Sequence, residues 1–148
     1  MTGVSTADVI AFELDQRLAA DAALVGDLPL SRVLLMHDAR FPWLILVPRR
    51  PGLRDLIDLP RDEQHVLLDE INRCAHVLHA LDKPDKLNVA ALGNVVAQLH
   101  VHVVARHVRD AAWPRPIWGV GDREPYSQAA LDARLSALRT ALHLERGA

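Results

Sequence analysis

Gln98, His100 and His102 recur at every second position of the run Gln98-Leu99-His100-Val101-His102-Val103-Val104. A period of two is the signature of a β-strand, in which alternate side chains share a face. The carboxamide and both imidazoles are therefore expected in a row on one face, about 7 Å apart. Leu99, Val101 and Val103 face the opposite way, into a core, and the β-branched valines favour the extended backbone. Near neutral pH an imidazole can act as nucleophile, as general acid or base, or as metal ligand. The strand alone leaves three readings open: partly exposed histidines without a role, a His-x-His metal site, and phosphoryl or acyl chemistry.

The chain around this strand is of a size and composition for one domain, residues 1–148. Half of its residues are apolar, enough for a substantial core, and its formal charge of −2 leaves no basic footprint for nucleic acid. No apolar run approaches the length of a membrane span. The start of the chain, Met1 to Asp8, lacks the basic and apolar stretches of a secretory signal. A single cysteine, Cys74, excludes an internal disulfide and reads as a buried thiol in a helical pattern. A cytoplasmic protein without membrane contact is the expectation.

Helical spacing covers Ala7 to Ala20, with Ser5 or Thr6 as N-cap. Strands are expected at Ala23 to Gly26, Ser31 to Met36 and Trp43 to Val47, divided by turn residues. The longest helix runs from about Pro60 to Leu81, with Pro60 in the first turn and Asp62 and Glu63 favouring its dipole. Val66, Leu67, Ile71, Cys74, Ala75, Leu78 and Leu81 form its expected buried stripe. His65, His76 and His79 on this helix read as surface residues, since no carboxylate completes a metal set with them. Strands at Leu87 to Ala91 and Val96 to Ala105 flank the Leu92-Gly93-Asn94 turn, and a helix over Tyr126 to Glu145 ends the chain. This order fits an α+β fold with a mainly antiparallel five-stranded sheet, a long helix and a C-terminal helix.

Gly93-Asn94-Val95-Val96-Ala97-Gln98-Leu99-His100-Val101-His102-Val103-Val104-Ala105-Arg106 resembles the signature of the histidine triad (HIT) family. His37-Asp38, ahead of the strand ending Leu46-Val47-Pro48-Arg49-Arg50, looks like that family's ribose-binding segment. Asn88 looks like its phosphate-side asparagine, and Trp113-Pro114 is similar to an element near the active site of some members. The similarity runs from Leu14 to about Trp118, and the segment Trp113 to Gly119 with the C-terminal helix looks like that of bacterial members.

The resemblance implies a HIT-like fold and a nucleotidyl hydrolase or transferase acting on a dinucleoside polyphosphate or nucleoside phosphoramidate. His100 is then the nucleophile that takes the nucleotide at its α-phosphate, its other ring nitrogen held by a carbonyl of the same strand. His102 contacts the phosphate or leaving group as a donor. His37, Asp38, Asn88, Gly93, Asn94 and Trp113 are the implied nucleotide-binding residues, with backbone N–H groups at Gly93 and Asn94 facing phosphate oxygens. Asp38 would accept from both ribose hydroxyls, and Met36 and Leu14 would wall the base pocket or pack the core. No cofactor is implied for the covalent step, although a divalent metal can accompany the substrate. A homodimer is implied as well. The chain departs from the pattern at Gln98, which stands for the first histidine, at Asn94 for the usual glutamine, and at Val95 where several members carry Ser or Thr. Gln98 is placed with the catalytic residues as a carboxamide that can donate and accept. A nucleotide-binding regulatory protein with little turnover remains a second reading, and a metal-dependent hydrolase on His37, His100 and His102 a third.

Overall fold

The computed structural model describes residues 11–144. A helix α1 (Gln16–Asp21) leads into strands β1 (Ala22–Asp27), β2 (Ser31–Met36) and β3 (Trp43–Pro48). A single 3-10 turn (Leu56–Asp58) precedes helix α2 (Arg61–Asp82), and strands β4 (Lys86–Ala90) and β5 (Val101–Arg106) precede helix α3 (Gln128–Ala141). The strands form one antiparallel sheet in the order β1-β2-β3-β5-β4, so the last strand in sequence lies inside the sheet. The α+β architecture with five antiparallel strands, a long helix and a C-terminal helix is as expected. Residues 7–10 of the expected first helix and Glu145 of the last lie outside the described residues; within them the first helix begins only at Gln16, where the Asp15 side chain caps it, and the last spans Gln128–Ala141 rather than starting at Tyr126.

One face of the sheet carries Val33, Leu35, Leu44, Leu46, Val101, Val103 and Ala105 and packs against Leu67, Ile71, Cys74 and Leu78 of α2 and Leu135 and Leu138 of α3. Arg139 of α3 donates to the carbonyls of Leu24 and Val25, tying that helix to the irregular middle of β1. The opposite face carries Leu34, Trp43, Ile45, Val47 and Val104 and is covered by Leu18, Phe41, Ala112 and Ile117. Helix α2 ends where Lys83 takes a left-handed conformation (φ 47°) ahead of Pro84, which cannot continue the helical ladder.

Three expectations need correction here. The imidazole-bearing strand begins at Val101, not Val96, and all six of its residues are buried, because β3 and β4 flank it and both faces are covered. Its polar face is thus an interior wall rather than a half-exposed one. In α2, Val66 and Leu81 are 38% and 41% exposed. The fully buried stripe is narrower than the apolar spacing suggested, namely Leu67, Ile71, Cys74 and Leu78, with Ala75 and Val77 partly buried beside it. Glu70 is buried in that stripe instead, where its carboxylate accepts from the N–H groups of Leu30 and Ser31, both at 2.9 Å. It thereby satisfies the donors at the β1–β2 turn that no strand reaches.

Candidate active site

Cross-strand register decides what surrounds the imidazoles. His102 faces Ile45 of β3 and Ala90 of β4, and Val104 faces Trp43 and Asn88. Directly paired residues project from the same face of a sheet, so Trp43 and Asn88 join His102 on the face away from α2. His100 precedes β5 by one residue, and its ring meets that of His102 edge to face, with centroids 4.9 Å apart. Both rings are nearly buried, at 6% and 5% exposure.

The protonation of each ring follows from its partner. His100 Nδ1 lies 2.6 Å from the Gln98 carbonyl oxygen. A carbonyl only accepts, so Nδ1 carries a proton, and in the neutral ring the lone pair is on Nε2. The indole Nε1 of Trp43 sits 2.9 Å from His102 Nδ1. An indole N–H only donates, so His102 Nδ1 accepts and the proton resides on Nε2. The two rings are therefore opposite tautomers, one ready to attack and one ready to donate a hydrogen bond. Burial, reinforced by His100, pushes the His102 imidazole down to about 4, which keeps it neutral near pH 7. Trp118 closes the group, edge-on to both His102 (5.2 Å) and Trp43 (6.2 Å).

Gln98 does not stand beside the imidazoles as a third member of a strand face. Its Nε2 donates to the Glu13 carbonyl and its Oε1 accepts from the Asp15 N–H, each at 2.8 Å, so the carboxamide braces the segment ahead of α1. The backbone carbonyl of Gln98, rather than its side chain, touches His100. Gly93, with a positive φ of 74° that favours glycine, lies with His100 in the wall of a cavity of about 320 Å³ bordered by Leu92, Leu56, Ile57 and Arg54. Asn94 is exposed in the same loop.

Asp38 is 2% exposed, and its carboxylate is occupied. Arg40 grips it through Nε (3.0 Å) and Nη2 (2.8 Å), and the N–H groups of Arg40 and Glu124 donate to Oδ1. Burial alone would raise this carboxyl, but the guanidinium and the two backbone donors outweigh it and hold Asp38 below its ordinary range. The free ribose acceptor expected at this position is thus already paired, because Arg40 folds back two residues along the chain. Arg40 also reaches the Val120 carbonyl, which pins the segment after Trp118 over a cavity of about 220 Å³ lined by Met36, Asp38, Trp43 and Trp118. His37 stacks on Tyr126 at 5.9 Å rather than turning toward the imidazole pair. Asn88 offers its Oδ1 to Arg106, which is buried, pairs with Asp110 and lies under the ring of Trp113. Trp113 therefore packs on Arg106, while the aromatic partners of His102 are Trp43 and Trp118.

The sequence reading gave no site role to Trp43, Arg40, Trp118 or Arg106, although the last two lie within the segments that carry the resemblance. Trp43 carried a signal in principle, as an aromatic in phase with Ile45 and Val47, but its pairing with the imidazole strand skips β4 and the intervening helix. Among the described residues, no group of three or more His, Cys, Asp or Glu is placed to hold a metal ion, and no helix is long and apolar enough to cross a membrane.

Fold and site together define an α+β protein with two buried, tautomer-fixed imidazoles on a central antiparallel strand. The HIT domain matches residues 17–109, and the chain belongs to the histidine triad (HIT) family. Family members are of the nucleotide-binding hydrolase and transferase kind. Among solved structures, a histidine triad protein from Bradyrhizobium japonicum is 49% identical, with a TM-score of 0.87 over 89% of this chain and 98% of that one. One from Marinobacter aquaeolei is 42% identical with a TM-score of 0.87, covering 90% of this chain and 97% of its own. One from Sinorhizobium meliloti is 40% identical with a TM-score of 0.86, covering 88% and 96%. No curated protein matches the chain.

Proposed function

We propose that this protein is a nucleotide-binding hydrolase that cleaves at the α-phosphate of a dinucleoside polyphosphate or nucleoside phosphoramidate through a nucleotidyl intermediate on His100. The observation that carries this reading is the 2.6 Å hydrogen bond from His100 Nδ1–H to the Gln98 carbonyl. It directs Nε2 of the neutral ring away from the carbonyl and stabilises the positive charge that develops on the ring as Nε2 attacks. In the first step a P–N bond forms and the bond from phosphorus to the leaving group breaks, its electron pair departing with that group. In the second, water adds to phosphorus, the P–N pair returns to Nε2, and the extra proton passes to solvent. The free N–H of His102 stabilises charge on a phosphoryl oxygen or the leaving oxygen.

The covalent step as proposed draws on imidazole and substrate alone, and a divalent cation would enter with the polyphosphate. Gly93 borders the nucleophile's cavity, Asn94 follows it in the same loop, and both are proposed to face the phosphates, while His37, Asp38, Asn88 and Trp113 are proposed to belong to the nucleotide-binding surroundings rather than to the chemistry. Gln98 serves through its carbonyl. The protein is proposed to act as a cytoplasmic homodimer, joined through the open edge of β4 and the outer face of α2, where Val89, Val66, Leu68 and Leu81 are exposed.

Incubation with a dinucleoside polyphosphate or a nucleoside phosphoramidate, with acid quenching avoided, tests this reading. Released mononucleotide and a mass increment of one nucleotidyl group on His100 are expected. Binding of nucleotide without release would instead support the regulatory reading, and an adduct on another residue would overturn the assignment of His100.

A further inference from the structure

Resting on the hydrolase reading, we infer that Trp43 is a positioning residue that locks His102 as a neutral hydrogen-bond donor which never releases its proton, so that the site favours leaving groups that depart without one. The chemical class so favoured is the phosphate or polyphosphate anion, in preference to an amine.

The argument begins with the buried contact. Trp43 is 7% and His102 5% exposed, so the 2.9 Å hydrogen bond between them is buried. For His102 to hand its Nε2 proton to a leaving group without becoming an imidazolate, Nδ1 would have to gain a proton. That nitrogen faces an indole N–H, which cannot accept one. Protonating Nδ1 would break the hydrogen bond and set two buried N–H groups against each other.

The remaining neighbours offer no alternative. Ile45 and Ala90 flank His102 from β3 and β4, Trp118 covers its edge, and His100 is the titratable group packed against its ring. His100 itself becomes cationic on attack, which further opposes charge on His102. The neighbouring cationic residue on the same strand face, Arg106, is committed to Asp110 and Asn88. No carboxylate among these neighbours supports an imidazolium at His102, and the downward displacement of that group to about 4 agrees with the geometry.

The consequence falls on the leaving group. A phosphate or polyphosphate leaves with its electron pair as a stable anion and requires no proton. An amine leaving from phosphorus requires a proton on nitrogen, which must then come from solvent or from the substrate itself. General acid catalysis supplies on the order of a hundredfold in rate where it operates. Its absence predicts that a nucleoside alkylphosphoramidate turns over about a hundredfold more slowly than a dinucleoside polyphosphate of the same nucleoside at pH 7.5.

The test reads the tautomer and the leaving-group preference separately. Long-range proton–nitrogen correlation spectra of the free protein should show His102 protonated on Nε2 alone and unchanged from pH 5 to 8. In Trp43→Phe the locking donor is gone, so His102 should mix tautomers and its titration should move up from about 4, while the depression that burial and His100 impose persists. The polyphosphate-to-amine ratio of kcat should then narrow about tenfold at pH 6, where a protonated His102 can serve the amine. A merely structural role for Trp43 would lower both rates and leave the ratio unchanged. Should Trp43→Phe not fold, replacement of Trp43 by benzothienylalanine removes the N–H while keeping the shape. Proton on Nδ1 in the native protein, titration of His102 between pH 5 and 8, or equal rates on the two substrates would each overturn the inference. Loss of turnover on both substrates with the tautomer signature intact would overturn the hydrolase reading, and with it the leaving-group preference, while the locked tautomer stands.

Discussion

Asp38→Ala and Arg40→Ala, alone and together, probe the pairing that most changes the expected nucleotide site. The Asp38 carboxylate accepts four hydrogen bonds, three of them from Arg40 and one from the Glu124 N–H. Removing Asp38 strands a guanidinium whose side chain is only 15% exposed, together with two backbone donors. Breaking a buried ion pair from one side costs about 3–5 kcal/mol. The partial exposure of Arg40 and the adjoining cavity let water reach the guanidinium, so the lower end applies. About 3 kcal/mol corresponds to a fall in Tm of roughly 10 °C for a domain of this length. The double variant removes both charges and should cost less than the sum of the singles by about 1.5 kcal/mol. Thermal and urea unfolding of the four proteins measures this coupling, and strict additivity would refute the pairing. The pH dependence has a definite sign. The folded carboxyl is held below its ordinary value of 3.8, so the unfolded chain binds more protons in acid. The stability from the pair is complete above that value and is lost as pH falls through the lower folded value. Arg40→Ala should shrink this acid sensitivity. Because Arg40→Ala also frees the carboxylate for vicinal hydroxyls, nucleotide affinity by calorimetry should fall in Asp38→Ala and not in Arg40→Ala. Equal losses in both would count against ribose contact at Asp38.

Further expectations follow from other contacts. His100→Ala should abolish release of mononucleotide, but, since the ring is buried, it should also lower stability by about 1–2 kcal/mol, read by unfolding; a stable variant retaining turnover would displace His100 from its role. Glu70→Ala leaves the buried N–H groups of Leu30 and Ser31 without their acceptor and should cost about 2–4 kcal/mol in urea titrations, whereas an unchanged midpoint would show the turn to be satisfied otherwise. Gln98→His can replace at most part of the bridge to Glu13 and Asp15, so a loss of about 1 kcal/mol is expected without a gain in rate; a rise in activity would restore a catalytic role to that side chain. Light scattering at micromolar concentration should give twice the chain mass, and a monomer mass would exclude the proposed dimer.

The sequence alone determined what depends on neighbours along the chain. Period-two spacing marked the imidazole strand, apolar periodicity with Asp62, Glu63 and Pro84 marked α2, and the motif from Gly93 to Arg106 carried the family. The carbonyl that fixes the His100 tautomer was implied by the resemblance, and it lies two residues away on the same backbone. Tertiary structure decided everything set by partners distant in sequence. Trp43 meets His102 across 59 positions because β5 inserts between β3 and β4, and no local pattern encodes that order. Gln98 was drawn from the imidazole row by backbone groups of Glu13 and Asp15, more than 80 residues away, whose unpaired hydrogen-bonding capacity it satisfies. Asp38 looked free in sequence and is bound in the fold, since a buried carboxylate requires a compensating charge and Arg40, two residues on, turns back onto it. Spacing specifies which side chains share a face. What each of them protonates, pairs with or leaves open is settled by desolvation, and desolvation exists only once the chain has closed around it.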